Sequence, residues 1–111
     1  MQIAEQRQGA VTVLKPTGPI CQADADELRA RLSETLVKTQ GRYVLDASGV
    51  PYVDSRGLEV LVEASEELAA SGGVLKLCGA TETVREALEV TDLASLFEHY
   101  ADETTAVRSF L

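Results

Sequence analysis

Apolar residues recur every three or four positions in two long segments of the chain, as they do along one face of a helix. The first segment predicts a helix over residues 24–39, with Asp24 as its N-cap and Gly41 after its end. The second predicts a helix over residues 56–71, which Gly72 and Gly73 would end. The apolar positions are Ala25, Leu28, Leu32 and Leu36 in the first segment and Leu58, Leu61, Val62, Ser65, Leu68 and Ala69 in the second.

Short runs of apolar and β-branched residues predict the strands. Residues 2–5 and residues 10–14, the latter opened by Gly9, would pair as a hairpin. Further strands are predicted at residues 43–46, 74–78 and 96–100. Between and after the last two strands, the polar spacing predicts two short helices. One has the capping-box pattern Thr83-x-x-Glu86 and would begin near residues 81–83, and the other would be capped by Asp102.

The predicted order is strand, strand, helix, strand, helix, strand, helix, strand, helix. Because crossover connections between parallel strands are right-handed, this order makes the middle of the sheet parallel, while the opening hairpin is antiparallel. The sequence therefore predicts one α/β domain over residues 1–111. Its mixed sheet would have about five strands, with helices packed mainly on one face.

Composition narrows the environment in which such a domain is expected to act. The 111 residues are 45% hydrophobic, but a charged residue interrupts every apolar stretch before it reaches the length of a membrane span. The first nine residues lack the basic start and apolar segment of a secretion signal. We therefore expect a soluble, cytoplasmic protein without membrane insertion. Cys21 and Cys78 have no metal-ligand spacing and are expected to be buried free thiols.

The charge is strongly negative and unevenly distributed. Ten basic and 18 acidic residues give a net charge of −8, which argues against nucleic acid or an anionic membrane as partner. Residues 1–52 hold six acids and six bases, so the whole excess lies in residues 53–111. A partner with a basic face would meet that second half, although a solubilising surface is the simpler explanation of the excess.

One segment combines residues that could carry chemistry, Val53-Asp54-Ser55-Arg56-Gly57-Leu58. Ser55 lies where the second long helix begins, and the unpaired N–H groups there favour either a capping oxygen or a phosphate. The simplest interpretation is that Ser55 or Asp54 is only the N-cap. Gly57 weakens that interpretation, because a glycine in the first turn costs about 0.5–1 kcal/mol and suggests close approach of another surface.

Enzymatic patterns are missing around this serine. His99 is the only histidine that could serve a catalytic triad, and the Gly-x-Ser-x-Gly elbow is absent. His99 is better interpreted as a partly exposed strand residue. Phosphate-binding glycine loops of the Walker or dinucleotide type are also missing. We therefore expect no enzymatic activity, no cofactor and no metal.

The order of elements and the Asp54-Ser55-Arg56-Gly57-Leu58 turn together resemble the STAS domain, specifically the bacterial anti-sigma factor antagonists. The resemblance covers nearly the whole chain. Its other parts are the hairpin ending in Thr17-Gly18, the helix with Leu28 and Leu32, the Val44-Leu45-Asp46 strand, the Gly72-Gly73 turn before Val74 to Cys78, and Val90-Thr91-Asp92-Leu93-x-x-Leu96-Phe97.

This resemblance implies a regulatory binding protein in a partner-switching circuit. An anti-sigma factor with serine-kinase activity would phosphorylate Ser55, and a metal-dependent serine phosphatase would restore the form that binds the anti-sigma factor. The unmodified protein would thereby release the sigma factor and regulate transcription. The implied partner surface comprises Asp54, Ser55, Arg56, Gly57, Leu58, Cys21 and Asp24.

Two positions of this surface differ from the family pattern. Arg56 stands where members often have a small serine or threonine, and Cys21 stands where many have an acidic residue. An alternative keeps the fold but changes the role, because small STAS proteins also resemble accessory subunits of phospholipid-transport ATP-binding cassette complexes. Gene neighbourhood discriminates between the two, since a kinase and a sigma factor favour the first and a permease with an ATPase favours the second.

Overall fold

The chain folds in the predicted order, and the computed structural model describes all of residues 1–111. A one-turn 3-10 helix at Ala94–Leu96 precedes the last strand. The elements are β1 (Gln2–Gln8), β2 (Val11–Thr17), α1 (Gln22–Thr39), β3 (Tyr43–Asp46), α2 (Ser55–Ala69), β4 (Leu75–Cys78), α3 (Glu82–Val90), β5 (Phe97–Tyr100) and α4 (Glu103–Arg108).

The five strands form one mixed sheet in the order β1-β2-β3-β4-β5. β1 and β2 are antiparallel, and β2 to β5 are parallel, as the crossover argument predicts. Leu14, Leu45 and Leu77 lie opposite one another on neighbouring strands. Their shared register places three leucines on one face of the sheet, where the long helices pack.

The main core lies between that face and the helices α1, α2 and α3. The helical apolar spacing exists because one stripe of each helix must meet the sheet. Six of the ten residues that the periodicity singles out are buried, whereas Leu36, Leu58 and Val62 are half-buried and Ala69 is exposed. The core includes Leu14, Leu28, Leu32, Leu45, Leu61, Leu68, Leu75, Leu77 and Leu88.

The other face of the sheet is covered only by α4, which confirms that the helices pack mainly on one face. Ala106 of α4 packs with Val13, Val44 and Cys78 in a smaller cluster. Beside it the Lys76 ammonium lies 4.5 Å from the centre of the Phe110 ring and 2.8 Å from Glu98 Oε1. None of the helices has both the length and the apolar character needed to cross a membrane.

Several predicted boundaries and caps are wrong. α1 begins at Gln22 after Cys21, so Asp24 is not its cap, and the Asp24 carboxylate lies 3.3 Å from the amino group of Met1 instead. α3 is capped by Thr81, whose hydroxyl accepts from the Val84 N–H, so the Thr83 capping box does not form. β1 and β2 are also longer than predicted.

Two polar features of the interior follow from this packing. Cys78 is buried, and burial raises the pKa of its thiol to about 12. Cys21 is only half-buried, so the prediction of a buried thiol is confirmed for Cys78 and wrong for Cys21. Asp46 is 5% exposed at the end of β3 and accepts a hydrogen bond from the Ser48 N–H. The Asp46 carboxyl faces Glu103 of α4 and raises the pKa of Glu103.

Candidate functional site

The N-terminus of α2 is capped by Asp54. Asp54 has an extended backbone, and its side-chain oxygen accepts a 2.8 Å hydrogen bond from the Gly57 N–H. Its carbonyl accepts the first helical bond, from Leu58 N at 2.9 Å. Of the two capping candidates in the sequence, Asp54 therefore performs this role, and the hydroxyl of Ser55 is not required for it.

Ser55 is the first residue of α2 and is exposed to solvent. The N–H groups of Ser55 and Arg56 have no acceptor within the helix, because the first turn of any helix leaves its donors unpaired. The partial positive charge of the helix N-terminus acts at the same place. An anionic group attached to the Ser55 oxygen would therefore find two backbone donors close by.

The loop between β2 and α1 is fastened directly beside this serine. Ile20 forms an isolated parallel bridge with Val53, in which Ile20 N donates to Tyr52 O at 3.1 Å and Asp54 N donates to Ile20 O at 3.2 Å. The carbonyl of Ile20 also packs against Gly57 so closely that an added Cβ would lie 2.1 Å from its oxygen. The close approach predicted at Gly57 is therefore made by this loop.

The bridge sets where the other expected surface residues lie. Cys21 follows Ile20 and is thereby brought beside Asp54 and Ser55, although Cys21 is distant from them in sequence. Asp24 is not brought into this group, because its carboxylate is directed to Met1 at the start of β1. Gly57 is buried, and Leu58 is half-buried against the main core, so Ser55 is the exposed residue of the turn, flanked by the half-buried Asp54 and Arg56.

Arg56 is held by acidic residues of both long helices. Its Nε and Nη2 atoms donate to Asp26 Oδ1 of α1 at 2.8 and 2.6 Å. Its Nη1 atom donates to Glu59 and Glu63 of α2 at 2.6 and 3.4 Å. The Asp26 carboxylate raises the pKa of Arg56, and all the guanidinium nitrogens are engaged. The positive charge of Arg56, the one cation next to Ser55, is therefore already balanced by carboxylates.

Two residues near Ser55 were not identified from the sequence. Asp26 belongs to the polar side of α1, and only the packing of α1 against α2 brings it to Arg56. Tyr52 is 48% exposed in the loop before α2, and its carbonyl holds Ile20. Exposed aromatic residues are typical of protein interfaces; the sequence shows Tyr52 next to the motif, whereas its exposure is visible only in the structure.

The surroundings of Ser55 offer no partner for nucleophilic chemistry. His99 lies on β5, is exposed as expected, and its Nε2 atom is 2.8 Å from the carbonyl oxygen of Ala94. No group of three or more His, Cys, Asp or Glu side chains is arranged to hold a metal ion. The site is thus an exposed serine at a helix N-terminus beside a fixed loop.

This fold is that of the STAS domain, and the chain belongs to that family: the family model matches residues 2–106. Among curated proteins, the chain is 31% identical over 93 residues to BtrV of Bordetella bronchiseptica, which is named as an anti-sigma factor antagonist. That match covers 84% of this chain and 80% of BtrV.

Solved structures agree on the fold. A Thermotoga maritima protein described as an anti-sigma factor antagonist matches with a TM-score of 0.87 at 23% identity, covering 96% of this chain and 92% of that one. The phosphorylated form of Bacillus SpoIIAA matches with a TM-score of 0.73 at 18% identity, over 99% of this chain and 100% of that one. At these identities the structural similarity shows the fold.

Proposed function

We propose that this protein is an anti-sigma factor antagonist whose binding to an anti-sigma factor with serine-kinase activity is switched off by phosphorylation of Ser55. A serine phosphatase would restore the binding form. The role is one of binding and regulation rather than catalysis. Because such a circuit controls transcription, we expect the protein to act in the cytoplasm.

The observation that carries the proposal is the exposure of the Ser55 hydroxyl at a helix N-terminus that another residue caps. A kinase needs an accessible hydroxyl, and Asp54 leaves the Ser55 oxygen free of a structural task. Two further facts support the proposal. The relative BtrV is named as an anti-sigma factor antagonist. SpoIIAA, which has the same fold, occurs in a phosphorylated form. The name of BtrV also favours this role over that of a transport subunit.

The electrostatic surroundings explain how phosphate would block a partner. The added charge of about −1.5 to −2 would be tolerated in the free protein by the helix N-terminus. Arg56 is already paired with Asp26, Glu59 and Glu63, so no unpaired cation of the motif could neutralise the phosphate inside an interface. Burying an unmatched charge costs several kcal/mol, and each 1.4 kcal/mol is about tenfold in affinity.

Phosphopeptide mapping after incubation with the cognate kinase and ATP tests the modification. We expect stoichiometric label on Ser55 and none on Ser55→Ala. Ser48→Ala is the matched control, because Ser48 is also exposed and lies in the same loop before α2. Label on Ser48, Ser65 or Ser71 with Ser55 unmodified would contradict the proposal.

The interpretation of Ser55→Ala depends on that variant remaining folded. Because Asp54 supplies the cap, we expect Ser55→Ala to change the free energy of unfolding by less than about 0.5 kcal/mol. Asp54→Ala should cost about 0.5–2 kcal/mol, since it leaves the Gly57 N–H without its acceptor. Urea denaturation of both variants checks this order, and a larger loss in Ser55→Ala would show that the hydroxyl has a structural role.

A further inference from the structure

A basic cleft lies at the end of the molecule opposite Ser55. It is a depression of about 380 Å³ between the β1–β2 turn and the last turn of α1, lined by Arg7, Lys38 and Arg42. Glu5 is the only acidic residue of its lining. α1 begins beside the Ser55 segment and ends at the cleft, and its 18 residues span about 27 Å. The cleft and the serine are therefore separate surfaces.

The cations of this cleft are unusual in so acidic a chain. The net charge is −8, and the excess of acids belongs to residues 53–111, whereas the cleft is built from residues 5–42. Arg7 and Arg42 are exposed and form no ion pair within the chain. Glu5 is shared between Arg31 at 3.0 Å and Lys38 at 3.6 Å. The cleft thus holds three cations and one carboxylate, and that carboxylate also pairs with Arg31, so the local field is positive because Arg7 and Arg42 stay unpaired.

The adjoining edge of β1 has backbone groups without partners. β1 is an outer strand of the sheet and pairs only with β2. The N–H of Thr12 on β2 donates to the carbonyl of Arg42, the residue before β3, and is therefore turned away from β1. Thr12 lies opposite Arg7 in the antiparallel register. Because pairs alternate in such a ladder, Arg7, Glu5 and Ile3 turn their N–H and C=O groups away from β2. Three donors and three acceptors therefore face solvent along this edge.

We propose that the β1 edge and the basic cleft together bind an extended acidic segment of a protein partner, which adds to the sheet as a sixth strand. Its backbone would pair with Ile3, Glu5 and Arg7, and its carboxylates would meet Arg7, Lys38 and Arg42. A short segment matches the charge distribution, since a nucleic acid or an anionic membrane would also extend over the acidic remainder of the surface. The site does not depend on the role proposed for Ser55.

The proposal is tested by titrating the full chain with a fluorescent peptide of alternating glutamate and valine, followed by amide NMR. We expect the amide signals of Ile3, Glu5 and Arg7 to shift, and binding to weaken as salt increases. Arg42→Glu should reduce affinity at least about tenfold. Arg85→Glu is the matched control, because it makes the same charge change at an exposed arginine of α3 that has no ion pair.

Two more reagents separate the parts of the proposal. A peptide N-methylated at alternate residues keeps its charge but cannot pair with a strand edge, so we expect it not to bind. Arg7→Glu provides a second cleft variant if Arg42→Glu is unfolded by circular dichroism. Equal loss in Arg85→Glu, equal binding of the methylated peptide, signals shifting away from β1, or no binding at millimolar peptide would each overturn the proposal.

Discussion

Replacing Gly57 by alanine tests how the Cys21 loop is held beside Ser55. Within a helix, alanine is normally more stable than glycine by about 0.5–1 kcal/mol. At Gly57 the new Cβ would lie 2.1 Å from the carbonyl oxygen of Ile20 and 3.2 Å from its Cγ2. Ile20 is 1% exposed, so it cannot move into open solvent without losing its packing.

The expected cost follows from the contacts that must give way. Ile20 would have to retreat by roughly 1 Å to reach an ordinary contact distance. That movement stretches the hydrogen bonds from Asp54 N to Ile20 O, at 3.2 Å, and from Ile20 N to Tyr52 O, at 3.1 Å. Overpacking costs about 1–3 kcal/mol and a buried carbonyl left unpaired costs a similar amount. After the gain in helix propensity is subtracted, we expect a net loss of about 1–5 kcal/mol.

Urea denaturation of Gly57→Ala measures this loss as a lower midpoint at an unchanged slope. Gly73→Ala is the control, because the nearest atom that its Cβ would meet is Leu68 O at 3.4 Å, an ordinary contact. We expect the control to stay within about 0.5 kcal/mol of the unmodified protein. If Gly57→Ala is as stable as the unmodified protein, the close contact with Ile20 does not constrain the loop and the reasoning is refuted.

Two further predictions concern the titratable groups. Burial raises the pKa of Cys78 to about 12, so Ellman's reagent at pH 8 should modify Cys21 in the native protein and both thiols only after denaturation; two reactive native thiols would contradict the packing of α4. The Asp46 carboxyl raises the pKa of Glu103, so the contribution of Glu103 to stability declines as pH rises above about 4.3, the value for an unfolded glutamate, while the lowered pKa of Asp46 acts in the opposite direction. In Glu103→Gln this contribution is removed, so the urea midpoint should fall less as pH rises than it does in the unmodified protein. The same pH dependence in both proteins would show that other groups cause it.

The helices and inner strands were predictable because their patterns reflect burial. The leucine spacing of α1 and α2 arises from contact with the sheet, and that contact is what the structure contains. β1 extends to Gln8, beyond its predicted end, because its pairing with β2 depends on backbone hydrogen bonds and not on an apolar face. A polar edge strand carries little hydrophobic signal, so its length was missed.

The candidate site was predictable only where it is continuous in sequence. Asp54, Ser55 and Gly57 lie within four residues, and their combination indicated a helix start with a close neighbour. The predicted start of α1 was too late, because Asp24 is a residue type that favours the cap position. In the structure, the bridge at Ile20 fixes the chain just before Cys21, and the helix begins at Gln22. The contact between Arg56 and Asp26 joins residues 30 positions apart, and no local pattern indicates it.

The most direct test of the proposed switch compares two forms of the protein in calorimetric titrations with its cognate anti-sigma factor. One form is unmodified, and the other carries phosphoserine at position 55. Phosphorylation should lower the affinity at least about tenfold while the melting temperature changes little, because the helix N-terminus tolerates the charge and the interface does not. Equal affinities of the two forms would contradict the switch, and unfolding of the phosphorylated form would contradict its electrostatic mechanism.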